Sequence, residues 1–365
     1  MRIVQVSESL EIGGAERVVV TLANALAARH ESSVICLKML GPLAADLDGA
    51  PVSCMNRREG NDMGAILRLA RALKAARADV VHAHDFGCYL DAMSAAWLAG
   101  VPLAVHTVHG KYMSYAPGRL NDFKKSLRHF CERSAVRRFG NIVCVSDALR
   151  THVAEEIGIP ASATRTIANG VAVPPLERRR AAEPGALRLI TVGRLAAVKN
   201  FALLIRAFAP LAARWPQLSL TIVGDGPERA ALEKLATHLG LTGAVRFLGF
   251  RSDIDELLAQ SDVFVLTSLS EGIPMSILEA MKSGLPVVAT RVGGVPATVA
   301  EGETGVLVES GDESALVRAL ASLIEHPRAA EAMGAAGHAR VLQKFSVDAM
   351  VAAYEGIYRR AGSPP

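Results

Sequence analysis

The chain has few aromatic residues and few cysteines, and it contains no long hydrophobic run. Phe, Trp and Tyr together make up 5% of its 365 residues, which disfavours a nucleic-acid surface that works by base stacking. The five cysteines are odd in number, scattered and without a Cys-x-x-Cys pair. This excludes a disulfide scaffold and favours reduced thiols in a cytosolic protein.

Neither a membrane span nor a targeting segment is evident. No apolar run reaches the roughly 18–20 residues that cross a bilayer, and the residues after Met1 and Arg2 are too polar for a signal-peptide core. We therefore expect a cytoplasmic protein without a nucleic-acid partner, at most peripheral on the inner face of the cytoplasmic membrane.

Apolar residues are abundant, and the charge is unevenly distributed. Half of the residues are hydrophobic, which excludes a disordered chain, and the length suggests two domains or one large α/β unit. The net charge is +4, but residues 1–180 carry 23 Lys and Arg against 17 Asp and Glu, whereas residues 181–365 carry 17 against 19. The two halves are therefore expected to meet different partners.

Short β-branched runs alternate with helical patterns, which indicates parallel sheets covered by helices. The runs of the first half are RIVQV, SSVICL, DVVHAH, PLAVHTVH and NIVCVS, and those of the second are LRLITVGR, LSLTIVGDG, VRFLGF, VFVLTS and LPVVAT. Between them PPLERRRAAEPGA, at 174–186, has three prolines and no apolar period, so we place a domain boundary there. The expected domains are residues 1–175 and 188–345, with residues 346–365 as a helix, capped by Ser346, that packs back toward the first domain.

Ligands of such sheets bind beyond the carboxyl ends of the strands, and the strongest site signal follows the run VFVLTS. Pro274 suits the start of a helix, so the backbone N–H groups from Met275 to Leu278 are expected to be unpaired and to form an anion site. Glu271 precedes this helix and Glu279 lies one turn inside it. Both can face one ligand, and carboxylates bind the paired hydroxyls of a ribose or a hexose. Charge complementarity with the helix start is the alternative explanation.

Cationic residues and a glycine turn follow two other strands of the second half. Arg194 and Lys199 share one loop with Gly193 and could reach the same phosphates, although exposed Arg and Lys are usually only solvated. Residues 224–227, Gly-Asp-Gly-Pro, resemble a dinucleotide loop but lack its third glycine. We interpret them as a tight turn near the ligand.

In the first half, candidate residues again fall at strand ends. Residues 13–16, Gly-Gly-Ala-Glu, allow a phosphate or sugar to approach the backbone closely, and a purely structural turn explains them almost as well. His82, His84, His106 and His109 cluster at two strand ends, so zinc is an alternative, but no cysteine accompanies them. We favour His109 acting on a sugar hydroxyl or a developing charge.

Residues 119–138 form a basic segment with helical periodicity. They carry seven Arg and Lys against two acids, and Leu120, Phe123, Leu127 and Phe130 recur as one apolar face. Such a helix can lie on an anionic membrane surface. The alternative is a helix that packs on the core and leaves its basic side in water.

Taken together, these motifs resemble the retaining glycosyltransferases of family 4, whose GT-B architecture consists of two Rossmann-like parallel-sheet domains facing a central cleft. The resemblance covers the chain end to end. It is carried by the turn at 13–16, Asn169-Gly170-Val171, VGRL with Lys199, GDGP, the pair Glu271-x7-Glu279 within EGIPMSILEAMKSGLPVVAT, Gly293-Gly294 and Thr304-Gly305.

The resemblance implies a nucleotide-sugar donor in the second domain, a UDP-sugar first and a GDP-sugar next, and a carbohydrate or lipid-linked acceptor in the first. Arg194 and Lys199 would neutralise the diphosphate, Glu279 would bind the ribose, and Glu271 would bind the transferred sugar. His109 would contact that sugar from the first domain. The other donor-binding positions that it implies are Gly14, Gly224, Phe250, Arg251, Gly272, Met275, Ser276, Ile277 and Leu278.

The family is thought to react on one face of the sugar: the diphosphate leaves and helps to deprotonate the acceptor. The resemblance thus implies catalysis by stabilising the leaving group, without a metal or a cofactor, in the synthesis of polysaccharide, lipopolysaccharide or glycolipid. One departure is Ala297, where many relatives have Glu, so we expect no catalytic help from that position. A UDP-sugar epimerase of the same architecture and a non-catalytic nucleotide-sugar-binding module are the alternatives.

Overall fold

The computed structural model describes residues 1–60, 62–110, 119–139, 141–176 and 187–360, without the side chains of 119–125, 127, 128 and 360. The chain divides into two compact units, Met1–Gly170 together with Val347–Pro365, and Val171–Ser346. Most of the predicted linker, residues 177–186, lies outside the described residues.

The first unit contains one parallel sheet. Its strands run in the order β3-β2-β1-β4-β5-β6-β7, and every pairing between neighbours is parallel. The order reverses between β1 and β4, which is where such sheets bind ligands. The strands are β1 (Arg2–Ser7), β2 (Glu31–Cys36), β3 (Val52–Cys54), β4 (Val80–His84), β5 (Leu103–Val108), β6 (Ile142–Cys144) and β7 (Thr164–Thr166).

Helices follow the strands of this unit and cover the sheet. Their apolar stripes pack on the sheet, whose central strands β1, β4 and β5 are almost fully buried because a parallel sheet is covered on both faces. The helices are α1 (Gly14–Ala27), α2 (Met63–Ala75), α3 (Phe86–Ala99), α4 (Arg119–Phe139) and α5 (Asp147–Ile157).

The second unit repeats this design with six strands in the order β10-β9-β8-β11-β12-β13. All neighbours are parallel, and the order reverses between β8 and β11. The strands are β8 (Arg188–Val192), β9 (Ser219–Val223), β10 (Val245–Gly249), β11 (Val263–Leu266), β12 (Val287–Thr290) and β13 (Gly305–Val308). The helices are α6 (Phe201–Arg214), α7 (Arg229–His238), α8 (Ile254–Ala259), α9 (Met275–Lys282), α10 (Val295–Thr298), α11 (Glu313–Glu325) and α12 (Pro327–Lys344).

The prediction of an α/β chain with parallel sheets is confirmed. Each of the ten β-branched runs contains a strand, whereas β3, β7 and β13 were not predicted. The first two are three-residue strands, too short to show a pattern.

The last helix, α13 (Val347–Arg360), belongs to the first unit. Met350, Tyr354 and Tyr358 recur at four-residue intervals and are buried, as expected for one apolar face of a helix. The Tyr358 hydroxyl lies 2.7 Å from His82 Nδ1 on β4, and the Glu355 carboxylate lies 3.0 Å from His30 Nε2.

Helix α4 contains the whole of the predicted basic segment, residues 119–138. Of its predicted apolar face, only Phe130 has a described side chain; Leu120, Phe123 and Leu127 lie outside the described side chains. Phe130 is 60% exposed, so at this position the face does not turn toward the core. The buried side of α4 instead carries His129, Glu132 and Val136.

Replacing Tyr358→Phe should lower the free energy of unfolding by about 1–3 kcal/mol, because it leaves a fully buried histidine nitrogen without its partner. Urea unfolding measures the loss. Arg359→Lys, on the same helix, keeps a cation beside the buried Glu355 carboxylate; it is the control and should change stability by less than about 0.5 kcal/mol. Equal losses in the two variants would contradict the importance of this bond.

Candidate active site

The strongest constellation lies at the carboxyl edge of the second sheet, between β8 and β11. Lys199 Nζ, in the loop after β8, lies 2.6 Å from Oε1 of Glu271, in the loop after β11. The Ser268 hydroxyl donates to the same oxygen at 2.6 Å. The Glu271 side chain is only 9% exposed and that of Lys199 22%, so the carboxylate is almost buried and is stabilised by a cation and a hydroxyl.

Hydrogen bonds to backbone carbonyls join the two loops. The Thr267 hydroxyl is bonded to the carbonyls of Lys199 and Asn200 at 3.1 and 3.0 Å, and the Leu269 amide donates to the Val198 carbonyl at 2.8 Å. Asn200 adopts a left-handed conformation with φ of 49°, which ends the short turn that carries Lys199. The position of the Lys199 ammonium is thus set by the end of β11.

Gly293 supports the loop that carries Glu271. Its φ is +52°, and a Cβ atom here would lie 1.8 Å from the Glu271 carbonyl oxygen. The Gly294 amide donates to that carbonyl at 3.4 Å. The Gly293-Gly294 pair is therefore needed for the close approach of two backbones directly beneath Glu271.

Helix α9 begins at Met275, with Pro274 at the N-cap and no side-chain cap. The expectation of free amides from Met275 to Leu278 is only half right. Ile277 and Leu278 donate to the Pro274 carbonyl at 3.1 and 3.4 Å because the first turn closes on its own cap. Among the described residues, the Met275 and Ser276 amides have no partner. Glu279 is half-buried in the second turn of the helix.

Arg194 is exposed, and its guanidinium has no partner among the described residues. It follows Gly193, whose carbonyl oxygen would lie 1.9 Å from a Cβ atom at Gly224. Gly224 has φ of +133° and Gly226 +158°, so residues 224–226 are a tight turn packed against the loop of Arg194.

Phe250 and Arg251 follow β10, beside that turn. The Gly224 amide donates to the Gly249 carbonyl at 2.8 Å, which places the end of β10 next to Gly224. Phe250 is 52% exposed. Arg251 is paired with Asp253 through Nε and Oδ1 at 2.7 Å.

Within the described ranges, no group of three His, Cys, Asp or Glu side chains could hold a metal ion. Asp253 and Asp255 form an Asp-x-Asp triplet, but each is paired with a cation, Asp253 with Arg251 and Asp255 with Lys282.

In the first unit, the glycine turn and the histidines meet near the reversal of strand order. Helix α1 starts at Gly14, which is exposed. Burial raises the pKa of the Glu16 carboxyl, and the nearby Asp85 carboxylate raises it further. Asp85, at the end of β4, has a strained φ of 61° and accepts from the His109 amide at 3.3 Å.

Three of the four histidines form one group, in which His82 and His84 are buried and His109 is half-buried. His84 Nδ1 lies 3.1 Å from His109 Nε2, and His84 Nε2 lies 2.7 Å from Gln5 Oε1. His82 and His84 are two residues apart on β4, so they share a face of the strand, and their ring centroids are 4.1 Å apart. His106 instead packs against Tyr89, with ring centroids 4.3 Å apart.

Comparison with known proteins identifies the family. The glycosyl transferases group 1 pattern matches residues 176–340, and the glycosyltransferase family 4 pattern matches residues 12–173. The lipopolysaccharide core biosynthesis glycosyltransferase LpsE of Rhizobium meliloti is 30% identical over 351 residues, which cover 94% of each chain. The chain belongs to glycosyltransferase family 4. This retaining family therefore supplies its enzyme class, as the motifs predict.

Two further relatives of this family 4 glycosyltransferase are informative. The UDP-Gal:alpha-D-GlcNAc-diphosphoundecaprenol alpha-1,3-galactosyltransferase of Escherichia coli is 30% identical over 80% of this chain and 79% of its own. The crystal structure of Anabaena Alr3699/HepE in complex with UDP-glucose superposes with a TM-score of 0.83 at 23% identity, covering 99% of this chain and all of the other. The predicted GT-B fold is confirmed by this likeness.

Sequence reasoning did not find Ser268, Thr267, Gln5 or Asp85. Thr267 and Ser268 are the last two residues of the predicted run VFVLTS, and Asp85 follows the HAH triplet, so their place at strand ends was an available signal. Gln5 lies inside a strand, so its position gave no such signal.

Within the described ranges, no helix combines the length and the apolar character that crossing a bilayer requires.

Gly293→Ala should lower the free energy of unfolding more than Gly302→Ala does. Both glycines have a positive φ, so both variants incur the left-handed penalty of about 1–2 kcal/mol. Only at Gly293 does the new Cβ meet a backbone oxygen; Gly302 has open space around it. We expect about 1–3 kcal/mol of additional loss, measured by urea unfolding. Matching losses would show that the contact beneath Glu271 is easily relaxed.

Proposed function

We propose that this glycosyltransferase moves a hexose, with retention, from a nucleoside-diphosphate sugar to a hydroxyl of a lipid-linked or polysaccharide acceptor. A UDP-sugar is the favoured donor and a GDP-sugar the next. The observation that carries the proposal is the site between β8 and β11. There the exposed Arg194 and two amides of α9, which have no partner among the described residues, accompany the half-buried Lys199–Glu271 pair.

These groups suit a diphosphate. The Arg194 guanidinium is free to form a two-pronged bond with phosphate oxygens, and the amides of Met275 and Ser276 are donors at the positive end of a helix dipole. Glu271 holds Lys199 near the same edge of the second sheet, where the ammonium can also attract an incoming anion. Gly224, next to Arg194, allows the ligand to approach the backbone.

Glu271 suits the transferred sugar. Within the part of the chain that the structure describes, both bonds that Glu271 accepts from neighbouring side chains, those of Lys199 and Ser268, go to Oε1, so Oε2 remains to accept from sugar hydroxyls. Glu279, farther along α9, is assigned to the ribose. We assign Phe250 and Arg251 to the base, and from the first unit Gly14 to the diphosphate and His109 to the sugar.

Catalysis then consists mainly of stabilising the leaving diphosphate and orienting the reactants. Arg194, Lys199 and the amides of α9 offset the charge that develops as the glycosidic bond breaks. The departing phosphate oxygen lies on the face that the acceptor approaches, and it takes the acceptor proton. Retention follows because the new bond forms on the face that the leaving group vacates.

Similarity supports the choice of substrates. The Rhizobium relative is named for lipopolysaccharide core biosynthesis, and the Escherichia coli relative for a UDP-galactose donor and a diphosphoundecaprenol acceptor. A lipid-linked acceptor agrees with the excess of basic residues in the first half of the chain.

We therefore also propose that α4 faces an anionic membrane surface. Its Phe130 is exposed, and its last turn is basic at Arg137 and Arg138.

Arg194→Ala should fold normally, because the side chain is exposed and unpartnered, and should lower kcat/KM about 100- to 1,000-fold, as loss of one preorganised donor to a developing anion does. The matched control is Arg206→Ala in the same unit. That arginine is also exposed and pairs with Glu313, so its loss should leave activity within about twofold. Full activity of the Arg194 variant would overturn the assignment of the diphosphate site.

A thermal-shift screen with UDP, GDP, ADP, dTDP and their glucose and mannose conjugates should give the largest stabilisation with UDP compounds. A ligand that binds only the folded state adds about 2.7 kcal/mol of stability at 100 times its Kd. A GDP-selective response would change the base but keep the enzyme class. If no nucleoside diphosphate stabilises the protein, the proposed donor class is wrong.

A further inference from the structure

A chain of hydrogen bonds runs from the middle of β1 to His109. It starts at Gln5, which is fully buried and places Oε1 2.7 Å from His84 Nε2. The other nitrogen of the His84 ring, Nδ1, lies 3.1 Å from His109 Nε2. The rings of His84 and His109 are stacked, with centroids 5.4 Å apart and planes inclined by 23°.

The positions of the protons along this chain follow from the first acceptor. An amide oxygen has no hydrogen to give, so His84 Nε2 must carry the proton, and a neutral imidazole carries only one. His84 Nδ1 is then an acceptor, and it takes its hydrogen bond from His109 Nε2. The His109 proton therefore lies on Nε2, and Nδ1 is left bare.

The surroundings keep both rings neutral. Burial lowers the pKa of His84 well below its usual range, and the neighbouring His82, His109 and His106 lower it further. Burial likewise lowers the pKa of His109, against the opposite effect of the Asp85 carboxylate. A doubly protonated ring would also destroy the chain, because His84 Nδ1 could no longer accept from His109.

The bare Nδ1 of His109 is buried and has no hydrogen-bond partner among the described residues. Buried polar atoms are almost always paired, so an acceptor without a donor at a site edge calls for a ligand that supplies one. A sugar hydroxyl is such a donor, whereas a phosphate oxygen or a carboxylate is not.

We propose that Gln5 and His84 are positioning residues that hold His109 in the Nε2-protonated tautomer, so that its Nδ1 accepts a hydrogen bond from a hydroxyl of the transferred sugar. The part that concerns the sugar rests on the proposed function. The tautomer itself is a property of the free enzyme and does not depend on the donor.

The test is nitrogen NMR of the full chain labelled with ¹⁵N-histidine, without any substrate. Long-range proton–nitrogen correlations distinguish a ring protonated at Nε2 from one protonated at Nδ1 or at both, and the His109→Gln variant identifies the His109 signals. We expect Nε2 protonation near neutral pH. Protonation at Nδ1 would overturn the proposal, because the amide of Gln5 would then be turned over and the whole chain reversed.

Gln5→Met removes the hydrogen-bond acceptor but keeps a side chain of similar size. His109 should then populate both of its tautomers. The same variant should lower kcat/KM for the donor about tenfold, the usual scale of one lost hydrogen bond at a site. The control is Tyr354→Phe, which removes a buried hydroxyl bonded to Thr107 at 2.9 Å but leaves the chain of Gln5, His84 and His109 intact.

The control should therefore retain both the tautomer and the activity. An unchanged His109 spectrum in Gln5→Met would refute the role of Gln5 even if the variant lost activity. Conversely, the tautomer of His109 could shift in Gln5→Met while sugar transfer is unaffected. In that case Gln5 does set the tautomer, but the proposed contact between His109 and the sugar is wrong.

Discussion

One carboxylate that is nearly removed from water organises the second unit. Glu271 is 9% exposed, and a buried charge is tolerated only when it is paired and hydrogen-bonded. Lys199 and Ser268 meet that requirement, but they come from different strand ends, so the loops after β8 and β11 must close on each other. Gly293 then has to lie beneath the Glu271 backbone. The turn at Gly224 packs against Gly193 in the loop after β8.

The first unit meets a similar requirement with neutral groups. Polar side chains are buried among its strands, yet here histidines, a glutamine, a threonine and tyrosines bond to one another without net charge. A chain of neutral groups avoids the cost of burying an ion. It also fixes the direction of each hydrogen bond along the chain, because a neutral imidazole that donates at one nitrogen accepts at the other. An ion pair positions a charge, whereas this chain determines which atom of His109 is an acceptor.

The last helix shows how distant parts of the chain support this arrangement. α13 packs on the first unit although about 180 residues separate it from that unit's other elements. Its tyrosines bond to His82 and Thr107, directly beside His84. Burial raises the pKa of Tyr354 and Tyr358 well above the usual value, so these hydroxyls stay neutral. The end of the chain is therefore part of the scaffold of the histidine group.

The alternation of β-branched runs and helices was enough to predict two parallel sheets, because strands that are buried on both faces have continuous apolar sequences. Residues at strand ends predicted Arg194, Lys199 and Glu271 as neighbours, since parallel strands end at one edge. The sequence could not show the pairing of Lys199 with Glu271, the use of the Ile277 and Leu278 amides inside α9, or the role of Gln5. Those depend on which strands adjoin and on atoms within hydrogen-bond distance, and only the tertiary structure, by bringing β1 beside β4 and β8 beside β11, decides them.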